Sequence, residues 1–376
     1  MPTNWPEAYS AACAEFNVEP REELLVSADM TGVLLPGNCA TRFNARVNDA
    51  EAAVIARAMG VCNTISELNL AYNNISDIGA SAIAELLDEG GQGVEKALQV
   101  CTLSFNNIGE VGAGKIGEAL MLNMSLAALN LRGNPIGENG GIAIAMMLKG
   151  NTTLLALDVG NCDLGPKSLV FIAQALDAHP SLCAVKLDNP LLKGPHDIRY
   201  VFQHLSTSLL SNTVLTELSL NHCGICDDHL QMLLPALVEN SSLQIISLRG
   251  NKLSEDGGRL VAKLLSRRPD ITSIDLTANR LENAGAIAVA EVVKGHPQLN
   301  TLLLESNNIG ERGLVALADA ISESHSLTQV TLWGNSFNNQ SPESAKAFFV
   351  HKERLTQVQL DFSLYVVDGV PMAAKA

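Results

Sequence analysis

One phrase constrains this chain more than any other. Residues 126–140 read LAALNLRGNPIGENG, a Leu-x-x-Leu-x-Leu-x-x-Asn-x-Ile pattern followed four residues later by glycine. The pattern starts at Ile65, Leu98, Leu126, Leu154, Leu182, Leu215, Leu243, Ile271, Leu299, Leu327 and Leu355, with eight steps of 28 residues and two of 33. A unit this short cannot bury its apolar side alone, so it must stack on neighbours of its own kind. Of the 376 residues 47% are hydrophobic and only 4% aromatic, which suits a stacked core of Leu, Ile, Val and Ala.

Each unit divides into strand, turn and helix. Leu68 and Leu70, or Leu129 and Leu131, point to one side of an extended segment, and Asn69 or Asn130 to the other. The turn carries Asn73, Asn106, Asn134, Asn251, Asn279, Asn307 or Asn335, a carboxamide able to satisfy backbone groups that the turn would bury. Cys162, Pro190 and Cys223 replace it in the middle, and Pro190 predicts a local break. After a glycine (Gly79, Gly112, Gly140, Gly257, Gly285 or Gly313), apolar residues follow helical spacing, as in Ile83, Leu86 and Leu87.

The repeating unit resembles the ribonuclease-inhibitor-like class of leucine-rich repeats. That resemblance implies an α/β solenoid of about eleven repeats, a horseshoe with its parallel sheet on the concave side and helices outside. Residues 1–64 are expected to form an N-terminal cap with a degenerate repeat, including a helix over AYSAACAEF and an irregular strand within 22–30. Residues 65–354 hold the repeats, and 355–376 the last strand and a C-terminal cap, all in one continuous domain. Of the two longer units, one contains DEGGQGVEK (88–96), read as a loop, and the other LKGPHDIRYVFQHLSTSLL, read as a lengthened helix.

The balance of 25 basic against 40 acidic residues gives −15. It argues against nucleic acid, whose phosphates call for Lys and Arg, and against an anionic membrane surface. No apolar run reaches the length of a membrane span, and the N-terminal residues show no signal-peptide pattern. Eight scattered cysteines suit a reducing, cytoplasmic setting better than a disulfide scaffold.

The concave sheet is the expected partner-binding face, with Tyr72, Phe105, Arg132, Asp188, Arg249, Glu305, Trp333 and Phe362 as candidate contacts. Exposed aromatics on a scaffold are hot-spot candidates, and Tyr72 with Phe105 and Trp333 with Phe362 gather at opposite ends of the array. Against this stands a plainer role, shielding the ends of the core. His222-Cys223-x-x-Cys226-x-x-His229 has the look of four zinc ligands, but its register places Cys223 in the core and His229 before a helix, so the four are not expected to converge. No nucleophile motif, phosphate loop or metalloprotease helix is present in the sequence. Neither metal nor cofactor nor catalysis is expected.

The ends add a second resemblance. Tyr9-x-x-x-Cys13 with Pro20, and Tyr365-Val-Val-Asp-Gly369, are similar to the terminal caps of ciliary and flagellar leucine-rich-repeat proteins, including leucine-rich repeat-containing protein 34 and the dynein-regulatory-complex leucine-rich subunits. That likeness implies a non-enzymatic adaptor of the axoneme, at radial spokes or the nexin link, acting as one copy within a larger assembly. Two other branches share the repeat: the GTPase-activating protein for Ran, which ends in a long acidic tail where this chain reads DFSLYVVDGVPMAAKA, and the ribonuclease inhibitor, a cysteine-dense binder of basic proteins.

Overall fold

The structure, a computed structural model, describes residues 4–26, 30–88, 97–337 and 342–376. The chain divides into two compact units, Met1–Lys193 and Gly194–Ala376. In the first, strands β1 (Gly32–Leu34), β2 (Glu67–Asn69), β3 (Val100–Thr102), β4 (Ala128–Asn130), β5 (Ala156–Asp158) and β6 (Ala184–Lys186) lie side by side in chain order. Each pairs in parallel with the next at one constant register, as in Leu68↔Cys101 and Cys101↔Leu129. Between them run helices α2 (Asp49–Val61), α3 (Asp77–Leu87), α4 (Glu110–Leu120), α5 (Gly137–Gly150) and α6 (Pro166–Leu176), preceded by α1 (Trp5–Phe16).

The second unit repeats the plan. It opens with α7 (Pro195–Ser211), the lengthened helix expected there, and continues through β7 (Glu217–Ser219), α8 (Asp227–Glu239), β8 (Ile245–Ser247), α9 (Glu255–Arg267), β9 (Ser273–Asp275), α10 (Glu282–Val293), β10 (Thr301–Leu303), α11 (Glu311–Glu323), β11 (Gln329–Thr331), α12 (Pro342–Val350), α13 (Lys352–Leu355) and β12 (Gln359–Leu360). An antiparallel hairpin, β13 (Phe362–Val367) with β14 (Val370–Lys375), ends it. No described helix is long and apolar enough to cross a membrane.

Three ladders of hydrogen bonds explain the repeating letters. In the turn, Asn106 Nδ2 donates to Leu70 O (2.8 Å) and Leu103 O (3.0 Å), while its Oδ1 accepts from Ile75 N (3.1 Å). Asn279 does the same with Leu248 O, Leu276 O and Leu253 N. Each carboxamide therefore ties its own turn to the one before it, where the core leaves no water to do so. The Cys162 thiol donates to Leu131 O (3.1 Å) but offers no amide oxygen, and the Ile136 N–H turns to Asn134 O instead. Pro190 has no side-chain donor, and unit one ends three residues beyond it.

The second ladder sits where helices end. Asn151 Nδ2 donates to Leu120 O (2.7 Å), and its Oδ1 accepts from the N–H groups of Thr153 and Leu154. Asn240 matches it, and buried Arg268 takes over the donor role toward Leu237 O and Leu243 O. In the third ladder, an acid in the first turn of one helix caps the next. Asp77 Oδ1 accepts from Gly109 N (2.7 Å) and Gly112 N (2.9 Å), and Asp49 caps Ser76 and Gly79 likewise. A Cβ on Gly112 would stand 2.7 Å from that carboxylate oxygen, which is why glycine recurs at this position.

The N-terminal cap differs from expectation in one respect. The first strand is Gly32–Leu34, and Glu22–Leu24 forms a single 3-10 turn whose Leu24 carbonyl accepts from the buried Trp5 indole (2.8 Å). Trp5 needs a compact turn to receive its N–H, so residues 22–24 cannot stay extended. Tyr9 stacks on Trp5, and its hydroxyl accepts from Arg21 N (3.2 Å). Asn17 closes α1 in a left-handed conformation. In the 88–96 insertion all but Asp88 lies outside the described residues.

His179 is the weak rung of the helix-end ladder. Its Nδ1 accepts from Ser181 N (3.3 Å) and Leu182 N (3.0 Å), so Nε2 carries the proton, and among the described residues that buried N–H has no partner. His296 in the same role reaches Arg268 O at 3.0 Å. Burial holds the His179 pKa below its ordinary value. The folded state therefore resists protonation, and this residue's contribution to stability is lost as pH falls below about 6.5. Replacing it as His179→Asn completes the rung: urea unfolding is expected to show a gain of about 1 kcal/mol at neutral pH and a shallower loss below pH 6.5.

Candidate functional site

The side of each sheet away from the helices is lined by alternate strand residues and the first turn residues. In unit one these form three rows crossing the strands. Glu67, Val100, Ala128, Ala156 and Ala184 make the first, Leu34, Asn69, Thr102, Asn130, Asp158 and Lys186 the second, and Ala71, Ser104, Arg132, Gly160 and Asp188 the third. A shallow hollow of about 240 Å³ lies over the low alanine row, walled by Thr102, Asn130, Asp158 and Lys186.

The residue before each ladder position is left-handed: Tyr72, Phe105, Gly133, Asn161, Asn189, His222, Gly250, Ala278, Ser306 and Gly334 all have φ between 51° and 84°. The parallel ladder continues one residue into the turn, with Tyr72 N donating to Ser104 O (2.8 Å), and the chain then reverses. Because all ten share it, this conformation belongs to the repeat and is no mark of a special site. It does line their side chains up along one rim.

On that rim Tyr72 and Phe105 stack with ring centroids 4.5 Å apart and planes within 13°. The Phe105 ring lies over Gly133, where any Cβ would meet it at 2.5 Å, and 37% of Phe105 remains exposed. Arg132 follows. Its Nη1 is 2.8 Å from Asp188 Oδ2 and 3.6 Å from Asp158 Oδ1, and an Asn161 amide oxygen turned toward it accepts at 2.9 Å. Asp188 is only 3% exposed. Burial raises the Asp158 pKa, against the lowering pull of the Gly160 N–H and Arg132. Arg132 and Asp188 thus hold each other in a closed ion network, while the aromatic pair presents a bare face.

In unit two Arg249 is exposed and Glu305 half-buried, and they stand on either side of the strand that carries Asp275 and buried Thr277. Trp333 is half-buried, stacks on Phe337 at 6.5 Å, and donates its backbone N–H to Asp361 Oδ2 (2.8 Å). Phe362 corrects the sequence reading. It is 4% exposed and packs against Phe337 (4.7 Å) and Phe348 (5.2 Å), inside the C-terminal cap. In register it matches Tyr72, but β12 is cut short and the chain enters the hairpin there, turning the ring inward. Phe337 was missed, although it stands two residues past Asn335, where Ile75, Ile108 and Ile309 are core residues.

The His-Cys-Cys-His stretch does not gather as a group. Cys223 is buried, and the His222 ring lies over Gly250. Cys226 and His229 do meet, Sγ to Nδ1 at 3.1 Å, as a capping box at the start of α8. Among the described residues no three His, Cys, Asp or Glu side chains are placed to hold a metal ion. Burial lowers the His229 pKa. The two aromatic ends should separate on mutation: Phe362→Ala is expected to cost about 3–5 kcal/mol of stability, and Phe105→Ala about 1 kcal/mol, as read by urea unfolding.

One comparison with known proteins agrees with this architecture. The leucine-rich-repeat family model matches residues 61–84, 122–145, 150–173 and 211–233. No curated protein sequence matches the chain. Among solved structures, actin-binding site 2 of leiomodin-1 is similar at 19% identity, over 56% of this chain and 91% of that one, with a TM-score of 0.31. A likeness of that size carries no argument about what this chain binds. The repeats are leucine-rich repeats in an α/β solenoid, and such a solenoid is a scaffold for binding other proteins.

Proposed function

We propose that this protein is a non-enzymatic adaptor that grips another protein on the open sheet face of unit one. The observation that carries this reading is the stacked pair Tyr72 and Phe105, half-uncovered beside the Arg132–Asp158–Asp188 network. A rigid aromatic surface lends contact area at little entropic cost, since stacking already restrains both rings. The neighbouring charges are occupied with each other, so a partner need not strip water from a lone ion. Arg249, Glu305 and Trp333 mark a separate candidate surface on the sheet face of unit two.

We place this adaptor in the ciliary or flagellar axoneme, on the resemblance of its ends. Tyr9, Cys13 and Pro20 frame the N-terminal cap, and residues 365–369 carry the hairpin turn. The eight cysteines are scattered along the chain and not set out as a disulfide framework, in keeping with a reducing, cytoplasmic compartment. At −15 the chain should avoid the acidic tails of tubulin, so attachment runs through another axonemal protein.

A tagged copy should concentrate in the flagellum and stay with the axoneme after detergent extraction. The double substitution Tyr72→Ala with Phe105→Ala should release it while its thermal unfolding shifts by only a few degrees. Diffuse signal from the parent, or full retention of the double variant, would contradict the reading. Binding to bare microtubules at physiological salt would contradict the indirect attachment.

A further inference from the structure

The C-terminal hairpin has one guarded edge and one open edge. Asp368 and Gly369 both have positive φ (50° and 79°), giving a two-residue turn between Val367 and Val370. In such a hairpin the flanking pair exchanges both backbone bonds, and every second pair does so thereafter. Ala376 N donates to Asp361 O (3.0 Å), in the same phase. Ser363, Tyr365 and Val367 therefore turn their N–H and C=O inward, and Phe362, Leu364 and Val366 turn theirs outward. On β14 the outward set is Pro371, Ala373 and Lys375.

Those outward sets differ in kind. Pro371 has no N–H to offer and Lys375 brings a charge, the two usual devices that keep an edge strand from pairing. Strand β13, FSLYVV, has neither. Among the described residues the hairpin pairs with no third strand. Tyr365, Val366 and Val367 are 41%, 49% and 46% exposed.

We propose that β13 pairs antiparallel with β13 of a second copy of this chain, joining two hairpins into one four-stranded sheet. The strand's self-complementary register selects this occupant, and its lack of charge permits it. At −15 two copies repel over most of their surface, yet residues 362–367 carry no charge and meet their like without repulsion. A two-fold axis at Tyr365 sets Leu364 of one copy opposite Val366 of the other, both with outward backbone groups, and the two tyrosines face each other. With only one open edge per chain the contact closes as a pair and cannot grow into a filament. This pairing is independent of the adaptor reading, and it replaces the single-copy state expected from sequence.

Sedimentation velocity of the full chain under reductant, over a hundredfold concentration range, tests it. The parent should pass from monomer to dimer, and Val366→Lys should raise the dissociation constant about tenfold or more with an unchanged thermal melt. Pro371→Val restores a donor to the guarded edge and should carry association past the dimer. A parent that stays monomeric throughout, a dimer indifferent to Val366→Lys, or no growth with Pro371→Val would overturn the proposal. A strand from a different protein as the true occupant would give the first of these results.

Discussion

Everything in this fold depends on what happens to backbone polar groups in a turn that the core has closed to water. Each repeat turns from strand toward helix beneath the next repeat, and its N–H and C=O groups there have no regular partner. The carboxamide of Asn106, Asn134, Asn279 or Asn307 supplies both a donor and an acceptor to that stretch, and it does so across the repeat boundary. Leaving such groups unpaired costs about 1–3 kcal/mol each. The apolar stripes supply most of the cohesion, and the carboxamides decide the register in which they stack.

That dependence accounts for which parts of the structure could be read from letters alone. Strand, turn and helix recur with the period because Leu68, Leu70 and Asn73 each answer to one physical demand, repeated in every unit. The lengthened α7 and the N-terminal helix α1 were legible for similar local reasons. What escaped reading lies where the period ends. Phe362 has the register of an outward residue, but β12 stops at two residues and the chain departs for the hairpin. The N-terminal strand was misplaced because nothing in 22–34 repeats, and only the Trp5 indole bonded to Leu24 O fixes that turn.

The sheet face was legible in its residues and illegible in its pairings. Arg132 and Asp188 stand 56 positions apart, two repeats, and nothing short of the stack shows that they reach across an intervening strand. The tall aromatics at Tyr72 and Phe105 end abruptly at Gly133, which is bare because the Phe105 ring occupies its place. Small and large residues are thus not distributed independently along the rim. A side chain on one repeat sets the volume permitted on the next, and reading any single repeat hides that rule.

The acids that cap helix starts give the stack a sense of direction. Asp49 serves α3, Asp77 serves α4, and Asp227 serves α9, always from the earlier repeat to the later. At these three starts the earlier repeat supplies the cap of its successor's helix. Chain emerging from a ribosome meets these obligations in the order of synthesis, because each accepting carboxylate is already in place when the N–H groups of the later helix appear. Growth from the N-terminal side can then proceed with α3, α4 and α9 capped on arrival, whereas assembly in the opposite sense would leave those helices waiting for a neighbour not yet folded.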